Sequence, residues 1–165
     1  LQATPQAEAA MVAETLAATD GARKVADLFC GVGTFTFPLA ERAPVLAVDG
    51  AAEAVGALKT AAGRTPGLKP IETVVRDLFR NPVSASELKG CDAVVFDPPR
   101  AGALDQSRQI AGSGAAVVVG VSCNPTTFAR DARVLVDAGF TLDRVTPVDQ
   151  FLWSAHIELV GVFRR

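Results

Sequence analysis

The feature that most restricts how these 165 residues fold is a rhythm. Apolar, β-branched segments recur about every 20 to 25 residues with helix-forming stretches between them, the pattern of strands joined by crossovers into a parallel sheet. The segments are Val25 to Phe29, Ala43 to Val48, Ile71 to Val75, Asp92 to Phe96 and Ala115 to Val121. Ahead of them, Thr4-Pro5 opens an Ala-rich helix that runs to about Ala18 and ends before Asp20-Gly21. The last two segments, Phe140 to Val148 and His156 to Phe163, follow each other with no helical stretch between them and are expected to form an antiparallel hairpin at one edge. Five helix-linked strands plus that hairpin give an α/β domain with a seven-stranded sheet over residues 1–165, with residues 1–20 as an entry helix.

Composition narrows what such a domain does. With 49% hydrophobic and 21% charged residues the chain holds a sizeable core. Its apolar runs are shorter than the ~18 residues that suggest a membrane span. Three cysteines, Cys30, Cys91 and Cys123, with no Cys-x-x-Cys, argue against a disulfide framework or a zinc site and suit a reducing compartment, so a cytoplasmic, metal-free monomer is expected. A net charge of -2 provides no overall cationic field, which weighs against a domain that only binds nucleic acid. The chain opens on Leu1, and a longer protein upstream is expected.

The first strand ends in Asp27-Leu28-Phe29-Cys30-Gly31-Val32-Gly33-Thr34-Phe35. Gly31 and Gly33 let the backbone turn sharply and approach a ligand, with a helix N-terminus close by. Thr36 stands where a dinucleotide fingerprint needs its third glycine, which disfavours a pyrophosphate. Asp49 closes the second strand, placed to accept ribose hydroxyls, and Asp97 closes the fourth. An acidic, glycine-lined cleft suits S-adenosylmethionine, a cationic sulfonium. A dinucleotide-binding Rossmann domain normally lacks the closing hairpin, so the layout is that of a class I S-adenosylmethionine-dependent methyltransferase. Asp97-Pro98-Pro99-Arg100 then forms a rigid loop at the carboxyl edge of the sheet, where ligands of open α/β folds bind. Arg100 stands where amino-group methyltransferases carry a base-stacking aromatic.

Cys123 lies in Val121-Ser122-Cys123-Asn124-Pro125, after the fifth strand and before a helix that Asn124 caps and Pro125 begins. A helix N-terminus favours the thiolate, the nucleophilic form. His156 and Glu158, two apart in the last strand, share a face, and the sheet order brings that strand near Cys123.

These motifs in this order resemble the RNA (uracil-5-)-methyltransferase family, whose members make 5-methyluridine in transfer and ribosomal RNA. The resemblance runs through Asp27 to Phe35, Asp97-Pro98-Pro99-Arg100-Ala101-Gly102, Ser122-Cys123-Asn124-Pro125-Thr126-Thr127 with Ala129-Arg130-Asp131, and Asp149-Gln150-Phe151 to His156-Ile157-Glu158. It implies Cys123 as nucleophile and Glu158 as general base, with Phe29, Thr34, Asp49, Asp77 and Asp97 at the cofactor and Gln2 as the glutamine that precedes the domain. Arg100, Asn124, Phe151 and His156 fall on the substrate side, and Phe151 or Trp153 is placed to stack on an unstacked base. Two positions depart from the family: Gly120 replaces a tyrosine, and Leu152 a proline. The family's amino-terminal RNA-binding barrel and the upstream cluster-binding cysteines of some members are not in this sequence, so the chain is expected to be the catalytic domain, with little RNA affinity of its own.

The implied reaction needs these residue types. C5 of uracil is a poor nucleophile until a thiolate has added to C6, and the C5 proton must then leave to a base before the thiol is expelled. The expected products are 5-methyluridine in tRNA or rRNA and S-adenosyl-L-homocysteine. An RNA cytosine-5 methyltransferase, an amino-group methyltransferase and a catalytically silent cofactor-binding domain are the alternatives.

Overall fold

Strands buried on both faces lose the alternation of a one-sided sheet, and that marks the centre of this fold. In the computed structural model, which describes residues 4–149 and 157–165, β1 (Val25–Leu28) and β4 (Ala93–Phe96) are buried at every position. β2 (Val45–Asp49) and β3 (Ile71–Val75) extend the sheet on one side, and β5 (Val117–Ser122) on the other. These five run parallel. β6 (Thr141–Asp149) and β7 (Ile157–Arg164) form the antiparallel hairpin, with β7 inserted against β5, so the order is β3-β2-β1-β4-β5-β7-β6. This is the seven-stranded class I methyltransferase sheet that the sequence rhythm predicts.

Helices cover both faces. α1 (Pro5–Ala18), α2 (Thr36–Ala40) and α3 (Ala52–Ala62) enclose one core, including Met11, Leu39, Leu58, Val95, Val121 and Val160. α4 (Leu104–Ala111) and α5 (Pro125–Asp137) enclose the other, around Leu28, Leu88, Ile110, Leu135 and Phe163. Both capped helices begin where the sequence indicates. Thr4 Oγ1 accepts from the Ala7 N–H at 3.2 Å and Asn124 Oδ1 from the Thr126 N–H at 3.0 Å, each with proline following.

One expectation fails: β3 and β4 are not linked by a helix. Residues 76–92 form turns instead, consistent with Asn81-Pro82 and Gly90 breaking the helical pattern. Buried Leu78, Val83 and Leu88 anchor the segment, and Gln106 of α4 both accepts from the Val83 N–H (2.8 Å) and donates to its carbonyl (2.9 Å).

Gly120 and Gly161 are direct partners across β5 and β7. A Cβ on Gly120 would meet the Phe96 ring at 3.1 Å, and one on Gly161 would run into the Phe128 ring of α5. Phenylalanines from β4 and α5 thus fill the space above the paired glycines. β6, at the sheet's edge, is exposed along most of its length, with Val148 its one buried residue and a bulge between Leu142 and Arg144.

Candidate active site

A cavity of about 500 Å³ opens at the carboxyl ends of the parallel strands, where chain reversals leave backbone N–H groups and side chains free to meet a ligand. The chain leaving β1 forms one wall. Phe29 holds a φ of 61°, the single non-glycine residue with positive φ among those described, and its ring lies 5.6 Å from that of Phe79 in the turns after β3. Gly31 and Thr34 line the cavity, and Gly31 donates its N–H to Asp49 Oδ2 at 2.9 Å. Asp49 Oδ1 accepts from the Ala51 N–H at 2.7 Å, so this carboxylate stitches the β1 loop to the start of α3 while keeping further lone pairs toward the cavity. Asp77 accepts from the Phe79 and Arg80 N–H groups at 3.0 and 3.3 Å and presents its side chain beside Leu78. Gly33 is not part of the lining. Its φ of 101° and a Cβ position within 3.0 Å of the Phe37 ring show a residue required for close packing of the loop on α2.

Among the described residues, five that line the cavity are acids, Glu8, Asp49, Asp77, Asp97 and Glu158, and none is Lys, Arg or His. Burial pushes the Asp97 carboxyl up to about 7, with Glu158 and Asp27 adding to the shift. Asp27 beneath the loop also rises to about 7 through burial, against the opposing effect of a 2.5 Å hydrogen bond from the Thr36 hydroxyl. Its other oxygen, Oδ1, is buried without a partner. Burial, Asp27 and Asp49 push the Cys30 thiol far above its ordinary range, so it stays protonated.

Cys123 lies between the end of β5 and Asn124, half-buried, whereas Cys30 and Cys91 are buried. Its thiol is raised, chiefly by burial and then by the Glu158 carboxylate, with Asp97 adding to it; the backbone N–H and Arg100 act the other way. The helix N-terminus was expected to favour the thiolate, but here the surrounding acids and desolvation outweigh it. Asn124 is engaged in the fold at both ends of its amide, capping α5 through Oδ1 and donating Nδ2 to the Arg100 carbonyl at 3.0 Å.

The structure thus brings Phe29, Gly31, Thr34, Asp49, Asp77, Asp97 and Glu158 to one cavity; Cys123 and Arg100 are not in its lining, but Cys123 is the next residue beyond the Ser122–Leu159 pair, where β7 brings Glu158. Gln2, Phe151 and His156, and Trp153 with them, lie outside the described residues. Glu8, Met11, Leu78 and Phe79 are among the contributors that were not anticipated. Glu8 and Met11 of α1 line the cavity from above, and their i, i+3 spacing on one helix face is the signal that pointed there. Phe79 was not anticipated because nothing in a half-exposed aromatic's sequence neighbourhood marks it as a wall. Among the described residues no group of three His, Cys, Asp or Glu is arranged to hold a metal, and no helix is long and apolar enough to cross a membrane.

Comparison with known proteins gives a consistent result. The profile of a small methyltransferase domain matches residues 6–113. An RNA methyltransferase of Caulobacter vibrioides is 65% identical over the whole chain, which spans 40% of that relative. The 23S rRNA (uracil(1939)-C(5))-methyltransferase RlmD of Pseudomonas fluorescens is 42% identical over 93% of the chain and 35% of its own length. The crystal structure of Pyrococcus abyssi tRNA (uracil-54, C5)-methyltransferase with S-adenosyl-L-homocysteine superposes with a TM-score of 0.85 and 31% identity, covering 99% of this chain and 39% of that one. The chain thus spans about two fifths of the length of the curated relatives it matches most fully. The profile described as tRNA (Uracil-5-)-methyltransferase aligns from β3 through the Cys123 loop and both hairpin strands, residues 73–165, more than half of the sequence, and the chain belongs to that family.

Proposed function

We propose that this chain is the catalytic domain of an enzyme that methylates C5 of a uridine in tRNA or rRNA, with S-adenosylmethionine as methyl donor and Cys123 as a covalent nucleophile. The observation that carries the reading is the meeting of one half-buried thiol with Glu158 and Asp97, two of the five acids that, with no basic side chain among the described residues, line the cavity. That donor set fits a cofactor with a sulfonium charge: Asp49 has lone pairs free for ribose hydroxyls, and Phe29, Asp77 and Leu78 form an apolar and hydrogen-bonding wall for a nucleobase. The Pyrococcus abyssi relative was solved with the corresponding product bound.

When bound, the cofactor supplies an electrophilic methyl group. Cys123 has to lose its proton first, and burial, Glu158 and Asp97 oppose that loss. A sulfonium held by those acids would offset their charge and ease the loss of that proton. The thiolate bonds to C6 of the uracil while the C5–C6 π pair moves toward C5 and O4, making C5 nucleophilic. After C5 is methylated, Glu158 takes the C5 proton; that pair re-forms the C5–C6 double bond and the C6–S bond breaks, releasing the thiolate.

RNA carrying 5-fluorouridine tests the proposal, because fluorine at C5 cannot leave as a proton and the adduct on Cys123 accumulates. A stable protein–RNA adduct that maps to the Cys123 peptide is expected. An adduct formed instead with 5-fluorocytidine RNA would assign cytosine-5 chemistry, and no adduct with either would overturn the covalent mechanism.

A further inference from the structure

The loop from Asp97 to Ala103 is fastened in two different ways. At its start the Asp97 N–H donates to the Leu28 carbonyl at 3.2 Å, an extension of the sheet. From Arg100 onward side chains of the Asn124 cap and α5 take over. Asn124 Nδ2 and Thr127 Oγ1 donate to the Arg100 carbonyl at 3.0 and 3.2 Å, the Arg130 guanidinium donates to the Ala101 carbonyl at 3.0 Å, and the Asp131 carboxylate accepts from the Ala103 N–H at 2.6 Å. Asp131, only 3% exposed, is paired with Arg130 at 2.8 Å. Gly102, at φ 72°, passes so close that a Cβ there would strike Arg130, Asp131 and Thr127. The pair is pressed directly onto the loop backbone.

What gives this fastening a chemical consequence is what the two joined segments carry. α5 begins two residues after Cys123, and the loop carries Arg100, the one cation among the described residues whose charge acts on that thiol. We propose that Arg130 and Asp131 are positioning residues for the reaction: they clamp the Arg100–Ala103 backbone onto α5 and so hold Arg100 against the Asn124 cap, the residue next to Cys123. This rests on the reading above, in which Cys123 is the nucleophile.

Among the described residues, the charged groups that act on Cys123 are Glu158 from β7, Asp97 just after β4 and Arg100 from the loop. Releasing the clamp removes the cation and leaves both carboxylates, so the thiol becomes harder to ionise. Asp97 keeps its own tie to the sheet through Leu28, so the cofactor end of the loop is unaffected.

The test reads the thiol itself. Alkylation of Cys123 by iodoacetamide in the full-length protein is followed against pH by mass spectrometry of its peptide, for wild type, Arg130→Ala, Arg130→Lys, Asp131→Asn and Arg100→Ala. Arg130→Ala and Asp131→Asn are expected to move the alkylation midpoint to higher pH and slow the reaction near neutrality at least about threefold, while affinity for S-adenosyl-L-homocysteine by calorimetry stays within about twofold. Arg130→Lys should recover part of the loss, and Arg130→Ala should add little in an Arg100→Ala background, because both act through one group. A folded Arg130→Ala with an unchanged midpoint overturns the proposal, as does full additivity with Arg100→Ala or an equal loss of cofactor affinity. Should Arg130→Ala fail to fold, Thr127→Val, which removes one loop bond and leaves the ion pair, carries the same expectation. A wild-type protein that traps no fluorinated RNA would sink the nucleophile reading, yet the alkylation profile would still report on the clamp.

Discussion

Cys123 and Glu158 stand across from one another where the β5–β7 ladder ends: the last pair is Ser122 with Leu159, and each of the two is the next residue beyond it. Antiparallel pairing thus brings together a thiol and a carboxylate 35 positions apart in sequence. Glu158 also pairs with Val148 of β6, so the hairpin fixes the height at which its carboxylate meets the thiol.

Cys123→Ala should abolish methyl transfer while leaving cofactor binding intact, because the thiol bonds the pyrimidine. Isothermal titration with S-adenosyl-L-homocysteine and a tritium-transfer assay on RNA check the two halves. Residual turnover in the alanine variant would remove Cys123 from the chemistry.

Asp49→Ala should weaken cofactor binding by roughly 1–3 kcal/mol, through lost hydrogen bonds to ribose and through release of the Gly31 and Ala51 N–H groups it now holds. Asp49→Asn keeps an acceptor oxygen and should fall between the two. Equal affinities by calorimetry would show that Asp49 serves the loops alone.

Asp27 and Asp97 are both raised to about 7, so the folded protein holds protons there that the unfolded chain releases near pH 4. Between those limits the native state binds more protons, and stability therefore declines as pH rises from about 4 through about 7 and levels off above that. Asp97→Asn should flatten that decline and raise Tm by several degrees at alkaline pH, a stabilisation on the order of 1–3 kcal/mol. Differential scanning calorimetry at acidic and alkaline pH decides it; a variant whose Tm tracks wild type at every pH contradicts a buried charge at Asp97. Affinity for the cationic cofactor should tighten over the same range as the carboxyls ionise, and that for its neutral-sulfur product much less so.

Gly161→Ala should cost about 1–3 kcal/mol, because the new methyl meets the Phe128 ring and α5 has to shift. Phe128→Leu in the same chain should recover part of that loss. Thermal melts of the single and double variants measure both, and an undisturbed Gly161→Ala would mean that Phe128 moves aside freely.

Much of this was legible because it is written in short-range chemistry. Thr4-Pro5 and Asn124-Pro125 announce two helix starts, and uninterrupted valine runs announce buried parallel strands. The acids at strand ends were legible for the same reason. What escaped the sequence depends on distant groups. Glu158 was expected near Cys123, but the thiol was also expected to ionise easily from its place before a helix, and the degree to which burial, Glu158 and Asp97 oppose that depends on the folded surroundings. The helix expected between β3 and β4 gave way to turns pinned by Gln106, a residue of α4 that comes later in the chain. Gly33 was read as a cofactor contact; its close packing against Phe37 and Leu58 depends on side chains that the sequence does not place beside it.

The bulged rim strand β6 bears on how this molecule behaves in a crowd. An outermost strand offers a free row of N–H and C=O groups to any other extended chain, and long flat rims seed fibrous association. Here Pro147 removes a donor, the irregularity at Leu142/Arg144 breaks the repeat, and Asp143 and Arg144 bring charge to the rim, tied by ion pairs to Arg164 and Glu14. The sheet therefore stops at seven strands, presenting newcomers with a border to which a further strand gains little by adhering.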